Sequence, residues 1–220
     1  MPRDLHPLAK LAFASLTLLA CGSNTPTIPP ELLANDPMDA RGDCSSADYP
    51  NGPYGTEEGS TLANVCFQGY RNPSKVSHTE ASLQTLAFSD YYDPTGSKGI
   101  QLLLINTAAV WCSACRTEHE GLSAKNAEYS PRGLRILSAL FQDAKSQPAT
   151  LRDLNNWVET FKSDYAMALD PEYQFQGFAT AETAPLNLVV DAQTMTIQKK
   201  LLGDQPTVIW PSIDASLAQP

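Results

Sequence analysis

Two cysteines separated by two residues, in Trp111-Cys112-Ser113-Ala114-Cys115, follow the apolar run Leu102-Leu103-Leu104-Ile105. A pair at this spacing can close a disulfide at the start of a helix. There the unpaired backbone N–H groups and the helix dipole stabilise a thiolate on the first sulfur. That is the chemistry of a centre that exchanges electrons with other thiols. The same spacing can also supply half of a zinc site.

The elements that must position this pair are legible around it. Residues 93–99 carry turn signals, and 100–107 read as a buried strand because apolar residues run continuously rather than alternating. A helix is predicted over 113–127, with Glu118 and Glu120 in its early turns and Pro131-Arg132-Gly133 beyond its end. A second buried strand covers 134–141. Residues 150–161 form an amphipathic helix, since Leu151, Leu154, Trp157, Val158 and Phe161 recur at helical spacing. A third strand spans 186–190, a fourth 195–202, and a weakly signalled helix 210–218. Strand, helix, strand, helix, strand, strand, helix implies parallel pairing through helical crossovers followed by a hairpin.

The 220 residues are 42% hydrophobic and 18% charged, enough for one domain with a core and some appendages. A formal net charge of -9 argues against nucleic acid and against an electrostatic grip on anionic lipid. Arg3 and Lys10 flank a short apolar stretch that ends at Cys21. It is too short to span a bilayer, which takes about 20 residues, and suits the h-region of an export signal. Leu18-Leu19-Ala20-Cys21-Gly22 looks like a bacterial lipobox, so 1–20 is expected to be a lipoprotein signal peptide and Cys21 the lipidated residue. Residues 21–43, with Pro26, Pro29, Pro30 and Pro37, read as the anchor and a semi-rigid tether. Residues 44–75, dense in Gly, Pro, Tyr and Asn, read as an irregular cap, and 76–220 as the globular domain.

Cys44 and Cys66 remain. An exported chain meets an oxidising compartment, which favours a structural disulfide between them. Closing a loop of about 23 residues contributes ~3 kcal/mol by the loop-entropy model. The rival is a zinc site from all four cysteines. It is disfavoured because Cys44 and Cys66 form no second CxxC and no His lies at metal spacing near either.

Three features in order give the chain its resemblance to the thioredoxin fold and, within it, to the TlpA/ResA-like extracytoplasmic thiol-disulfide oxidoreductases. They are Trp111-Cys112-Ser113-Ala114-Cys115 after a strand, Glu118 three residues beyond the second cysteine, and Thr183-Ala184-Pro185 ahead of Leu186-Asn187-Leu188-Val189-Val190-Asp191. The resemblance covers roughly 76–218. It implies an α/β fold, a three-layer α/β/α sandwich with a mixed central sheet and an irregular N-terminal extension. It further implies that a partly exposed Cys112 attacks, a more buried Cys115 resolves the mixed disulfide, and Trp111 shields the pair. Pro185 would be cis and bring the Ala184 backbone beside the sulfurs, and Glu118 would exchange protons with the cysteines. Asn106 sits where thioredoxins carry a buried acid; an amide cannot take a proton, so that role falls to Glu118. Ser113-Ala114 lacks both the proline common before the second cysteine and the histidine used by strong oxidants, which argues for a moderate or reducing potential. His119 reads as a surface helix residue.

The function expected is a lipid-anchored oxidoreductase without cofactor or metal. It would exchange the Cys112–Cys115 disulfide with thiols or disulfides of exported proteins and draw electrons from a membrane donor. It would lie on the extracytoplasmic, periplasmic side, held to a membrane by the lipid on Cys21. Two other classes compete: a copper-binding chaperone of the same fold, and a non-catalytic surface lipoprotein. The first would want CxxxC and a late His, whereas His78 precedes the strand. A peroxidase of the peroxiredoxin type lacks its hydroxyl, because Ala109 stands three residues before Cys112.

Overall fold

The computed structural model describes Cys44 and residues 48–218. The predicted signal segment, Cys21 and the tether to residue 43 lie outside the described residues. Seven strands form one mixed sheet in the order β2-β1-β5-β4-β3-β6-β7. They are β1 (Cys66–Tyr70), β2 (Gln84–Ala87), β3 (Leu102–Ala109), β4 (Leu134–Gln142), β5 (Ala166–Leu169), β6 (Leu186–Asp191) and β7 (Ile197–Leu202). Strands β3, β4 and β5 are mutually parallel, whereas β6 runs antiparallel to β3 and pairs with β7 in a hairpin. All eight residues of β3 are buried, which is why its sequence is continuously apolar around Asn106 and Thr107.

The α-helices among the described residues are α1 (Ser113–Tyr129), α2 (Leu151–Phe161) and α3 (Pro206–Leu217). Helix α1 crosses from β3 to β4, and α2 from β4 to β5. Both crossovers step in the same direction along the sheet, so right-handedness puts both helices on one face. Leu122, Leu154, Trp157, Val158, Ile209 and Ile213 accordingly share one core cluster with Leu104, Ile136 and Met167. The opposite face carries Leu103, Ile105, Leu137 and Leu188, and is covered by Tyr49, Leu62, Phe88 and Phe175 from 3-10 turns and irregular chain.

Local chemistry sets the element ends. Thr150 caps α2 in a reciprocal box with Asp153: the Thr150 N–H donates to Asp153 Oδ2 at 2.9 Å, and the Asp153 N–H to Thr150 Oγ1 at 3.4 Å. Helix α1 gives way to a 3-10 turn and then Gly133, whose φ of 100° belongs to the left-handed region that glycine occupies without penalty. Pro206 opens α3 at its first turn, where no intrahelical N–H is lost.

Three departures from the sequence reading concern strands and the last helix. Residues 66–70 lie in the segment read as irregular cap, yet they form β1 inside the sheet, so irregular chain among the described residues of that segment runs over 48–65 and 71–75, apart from a short 3-10 turn at Pro73–Lys75. Strands β2 and β5 carry no pattern that predicts them: each has four residues, too few to establish a period. Helix α3 begins four residues earlier than expected and continues through Pro211, the sixth of its twelve residues.

Candidate functional site

Strand β3 ends on Ala109, and the chain turns through Val110 and Trp111 into α1, with Cys112 as its N-cap residue. Cys112 and Cys115 are joined in a disulfide, their Cα atoms 5.3 Å apart. The Cys115 N–H donates to Cys112 Sγ at 3.0 Å, so the reactive sulfur itself satisfies one of the orphan amides of the helix start. A charge on that sulfur meets an aimed N–H and the positive end of a seventeen-residue helix, which favours the thiolate.

The β6 entry loop approaches from the other side. The Ala184–Pro185 peptide is cis. The Leu186 N–H donates to Thr107 Oγ1 at 3.0 Å, and Pro185 O accepts from the Gly203 N–H at 2.7 Å. Held between β3 and the turn after β7, the loop sets Ala184 O 3.5 Å from Cys112 Sγ. This cover explains a difference from the expected partly exposed attacking sulfur: in the oxidised ring Cys112 is only 3% exposed and Cys115 is 0%. Trp111 is 36% exposed, with its indole N–H on Gln142 Oε1 at 2.9 Å. It stands at the rim beside the pair.

One turn beyond Cys115, Glu118 reaches down to the sheet. Asn106 Nδ2 donates to its Oε2 at 2.6 Å, and Asn187 Nδ2 to its Oε1 at 2.9 Å. Asn106 and Asn187 are direct register partners on β3 and β6, and they bond to each other at 3.0 Å. Burial pushes the Glu118 carboxyl up to about 7, with the nearby Asp204 carboxyl adding to the rise; the two amide donors pull it down. Glu118 also lines a groove of about 380 Å³ with Thr117, Asp204 and Trp210, which gives its carboxyl a route to water. A carboxyl poised near neutrality beside a dithiol can take a thiol proton and return it.

His119 corrects the surface assignment. It is fully buried, because α2 brings Trp157 edge-on at 5.0 Å and Phe161 to 5.6 Å between ring centroids. Its Nδ1 lies 2.8 Å from Cys115 O and its Nε2 2.9 Å from Ser138 Oγ. Burial depresses its proton affinity to about 4. The sequence reading also passed over Ser138 and Asn187. The signal available was a buried polar residue within each of three largely apolar strands: Asn106 pairs in register with both Ser138 and Asn187.

Cys44 and Cys66 are disulfide-bonded, with Cα atoms 5.8 Å apart. Asn64 Nδ2 donates to Cys44 O, and Gln174 Nε2 to Cys66 O at 3.1 Å. The bond fastens the start of β1 to Cys44. Among the described residues, no group of three or more His, Cys, Asp and Glu side chains is arranged to hold a metal, and no helix is long and apolar enough to cross a membrane.

No family model matches the chain. It is 27% identical over 112 residues to the thiol:disulfide interchange protein DsbE of Tatumella citrea, and 25% identical over 112 residues to the protein of that name from Yersinia pestis. These matches cover 49% of this chain and 53% and 52% of the relatives, so the chain spans about half the length of the curated relatives it matches. Among solved structures, the thioredoxin domain of a thiol-disulfide oxidoreductase from Bacteroides vulgatus superposes with a TM-score of 0.53 at 15% identity, covering 73% of this chain and 98% of that one. A DsbF homologue from Corynebacterium diphtheriae gives 0.54 at 15% identity, covering 76% and 98%. The fold is thioredoxin-like, an α/β architecture on a mixed sheet.

Proposed function

From a thioredoxin-like fold and a sequence likeness to thiol:disulfide interchange proteins, we propose that this chain is a thiol-disulfide oxidoreductase whose reacting pair is Cys112–Cys115. The observation that carries the reading is the single contact set around Cys112 Sγ. A helix-start N–H at 3.0 Å stabilises its anion, and the Ala184 carbonyl at 3.5 Å marks where an extended client backbone lies alongside it.

The exchange balances as follows. In the reduced protein the Cys112 thiolate attacks one sulfur of a client disulfide, forming a mixed disulfide and releasing the other client sulfur as a thiolate. Cys115 gives its proton to the ionised Glu118, and its sulfur then attacks Cys112 Sγ. The ring closes and the second client thiolate leaves. The client gains two electrons and takes up two protons, one of them returnable from Glu118. A reduced dithiol donor in a membrane then reduces the Cys112–Cys115 ring back to the dithiol and is itself oxidised to a disulfide.

The reductive direction is supported by the Ser113-Ala114 dipeptide, which places no cationic side chain between the cysteines to hold the thiolate further. Export and lipid anchoring at Cys21 are supported by the charged, apolar and small-residue order of residues 1–21. Pro185 positions the client strand, Trp111 shields the pair, and Cys44–Cys66 is structural.

The test is Cys115→Ser expressed in an exporting bacterium. Without its resolving thiol, Cys112 should accumulate in mixed disulfides with exported proteins, visible as high-mass bands that collapse on reduction. A folded variant that traps no partner, together with a wild-type chain unable to reduce a protein disulfide, would overturn the reading.

A further inference from the structure

The buried polar row beneath α1 has a hydrogen count that does not close. His119 Nδ1 faces the Cys115 carbonyl, which only accepts, so Nδ1 carries a hydrogen. Both Nδ2 hydrogens of Asn106 are committed, to Glu118 Oε2 at 2.6 Å and Asn187 Oδ1 at 3.0 Å. Asn106 Oδ1 therefore needs the one hydroxyl hydrogen of Ser138, at 2.9 Å. The Nε2 of neutral His119, 2.9 Å from the same hydroxyl, needs that hydrogen too. Asn106, Ser138 and His119 are each 0% exposed, so water does not relieve the shortage.

We propose that His119 is a positioning residue for the proton on Glu118, coupled to it through Ser138 and Asn106 by competition for a single hydroxyl hydrogen. The inference rests on the function proposed above, because it assigns to that site the control of its proton carrier. When the Ser138 hydrogen points to Asn106 Oδ1, the amide is polarised and its N–H donates more strongly to the Glu118 carboxylate. When the hydrogen points to His119 Nε2, that support is withdrawn. The ionised form of Glu118 is stabilised in the first arrangement and less so in the second. His119 thus holds Glu118 closer to neutrality than the two asparagines alone would.

The other charged and titratable groups around this row are few. On α1 itself Arg116 lies outside it, its guanidinium over Trp157 at 5.6 Å and Phe161 at 5.4 Å. Helix α2 contributes only those two uncharged rings. Before β5, Tyr165 sits with its ring 6.2 Å from His119, and burial keeps its phenol protonated. Strand β6 brings Asn187, which carries no charge. From the turn after β7, Asp204 faces Glu118 across the groove. The reacting sulfurs of Cys112 and Cys115 complete the set. The Trp157 indole N–H is buried without a partner and makes no hydrogen bond to His119, so none of these groups supplies the missing hydrogen between His119 and Asn106.

The competition predicts shifts of opposite sign, which a merely structural role would not produce. His119→Phe removes the competing acceptor and keeps an aromatic ring against Trp157, so the Glu118 midpoint should fall by about half a pH unit, roughly threefold in proton affinity. Ser138→Ala removes the donor from Asn106, so the midpoint should rise by a similar amount. His119→Gln, with an amide N–H for Cys115 O and a carbonyl for Ser138, should restore the wild-type midpoint. The measurement is the pH titration of the Glu118 carboxyl carbon by NMR in the oxidised full chain, alongside the pH profile for reduction of glutathione disulfide by the reduced chain. The rate profiles should move in the same directions as the carboxyl midpoints. Midpoints that stay put, or that move the same way in His119→Phe and Ser138→Ala, overturn the inference. If His119→Phe does not fold, the Ser138→Ala shift decides it, since an unchanged or lowered midpoint there refutes the coupling. A wild-type chain that exchanges no disulfide at any pH refutes the proposed function instead, and the carboxyl titration still reads the coupling.

Discussion

Replacing Glu118 by Gln should make the stability difference between variant and wild type depend on pH in one direction. In the folded chain burial raises the carboxyl to about 7 from an ordinary 4.5. The folded state therefore binds more protons than the unfolded state between those values, and wild-type stability falls as pH rises through that window. At pH 5 the unfolded group is already partly ionised and the folded one is not, so a loss of about 0.8 kcal/mol is present. At pH 8 both are largely ionised and the loss approaches about 3.4 kcal/mol, the full shift. The variant lacks this titration, so its unfolding free energy relative to wild type should rise by about 2.5 kcal/mol between pH 5 and pH 8. Asp170, also raised to about 7 by burial, titrates in both proteins and cancels in the difference. The constant part of the difference reflects the Gln amide facing one of the two asparagine donors, and does not affect the slope. Urea unfolding of the oxidised proteins at both pH values measures it. A difference that is flat with pH, or that falls, would refute the claim that desolvation outweighs the Asn106 and Asn187 hydrogen bonds.

Thr150→Ala removes the side-chain half of the α2 cap box and should cost about 1 kcal/mol in urea unfolding. Replacing Cys44 and Cys66 together by serine opens a loop of about 23 residues and should cost ~3 kcal/mol of stability while leaving Cys112 reactivity intact. Loss of exchange in a folded double variant would mean that this bond takes part in the chemistry.

What the sequence made legible follows the length over which a pattern can repeat. The run 102–105, the helical spacing of Leu151, Leu154, Trp157 and Val158, and the hairpin of 186–202 each declare their element within their own residues. Strand β5 is four residues long and β1 sits among Gly, Pro and Asn, so each is fixed by its neighbour in the sheet rather than by its own pattern. At the site, the cysteines, Glu118 and Pro185 are recognisable by type and spacing. His119 is not: flanked by two glutamates it reads as solvated, and only the descent of Trp157 and Phe161 from a separate helix encloses it. Asn106, Ser138 and Asn187 meet because three strands share a register, a relation absent from any one segment.

Because Cys112 is the N-cap of α1 as well as half of the disulfide, the stability of that helix and the ease of reducing the ring are two sides of one thermodynamic cycle. A thiolate accepts the Cys115 N–H more strongly than a disulfide sulfur does, so reduction tightens the first turn and oxidation loosens it. If the charged cap is worth about 1 kcal/mol more than the neutral one, the couple moves about 20 mV toward the oxidising side. An ionised Glu118 one turn away opposes the thiolate charge and pulls the couple back. Any substitution along the first turn of α1 is therefore also a change of voltage, and the redox state of the pair should be readable in the hydrogen-exchange protection of the Cys115 amide.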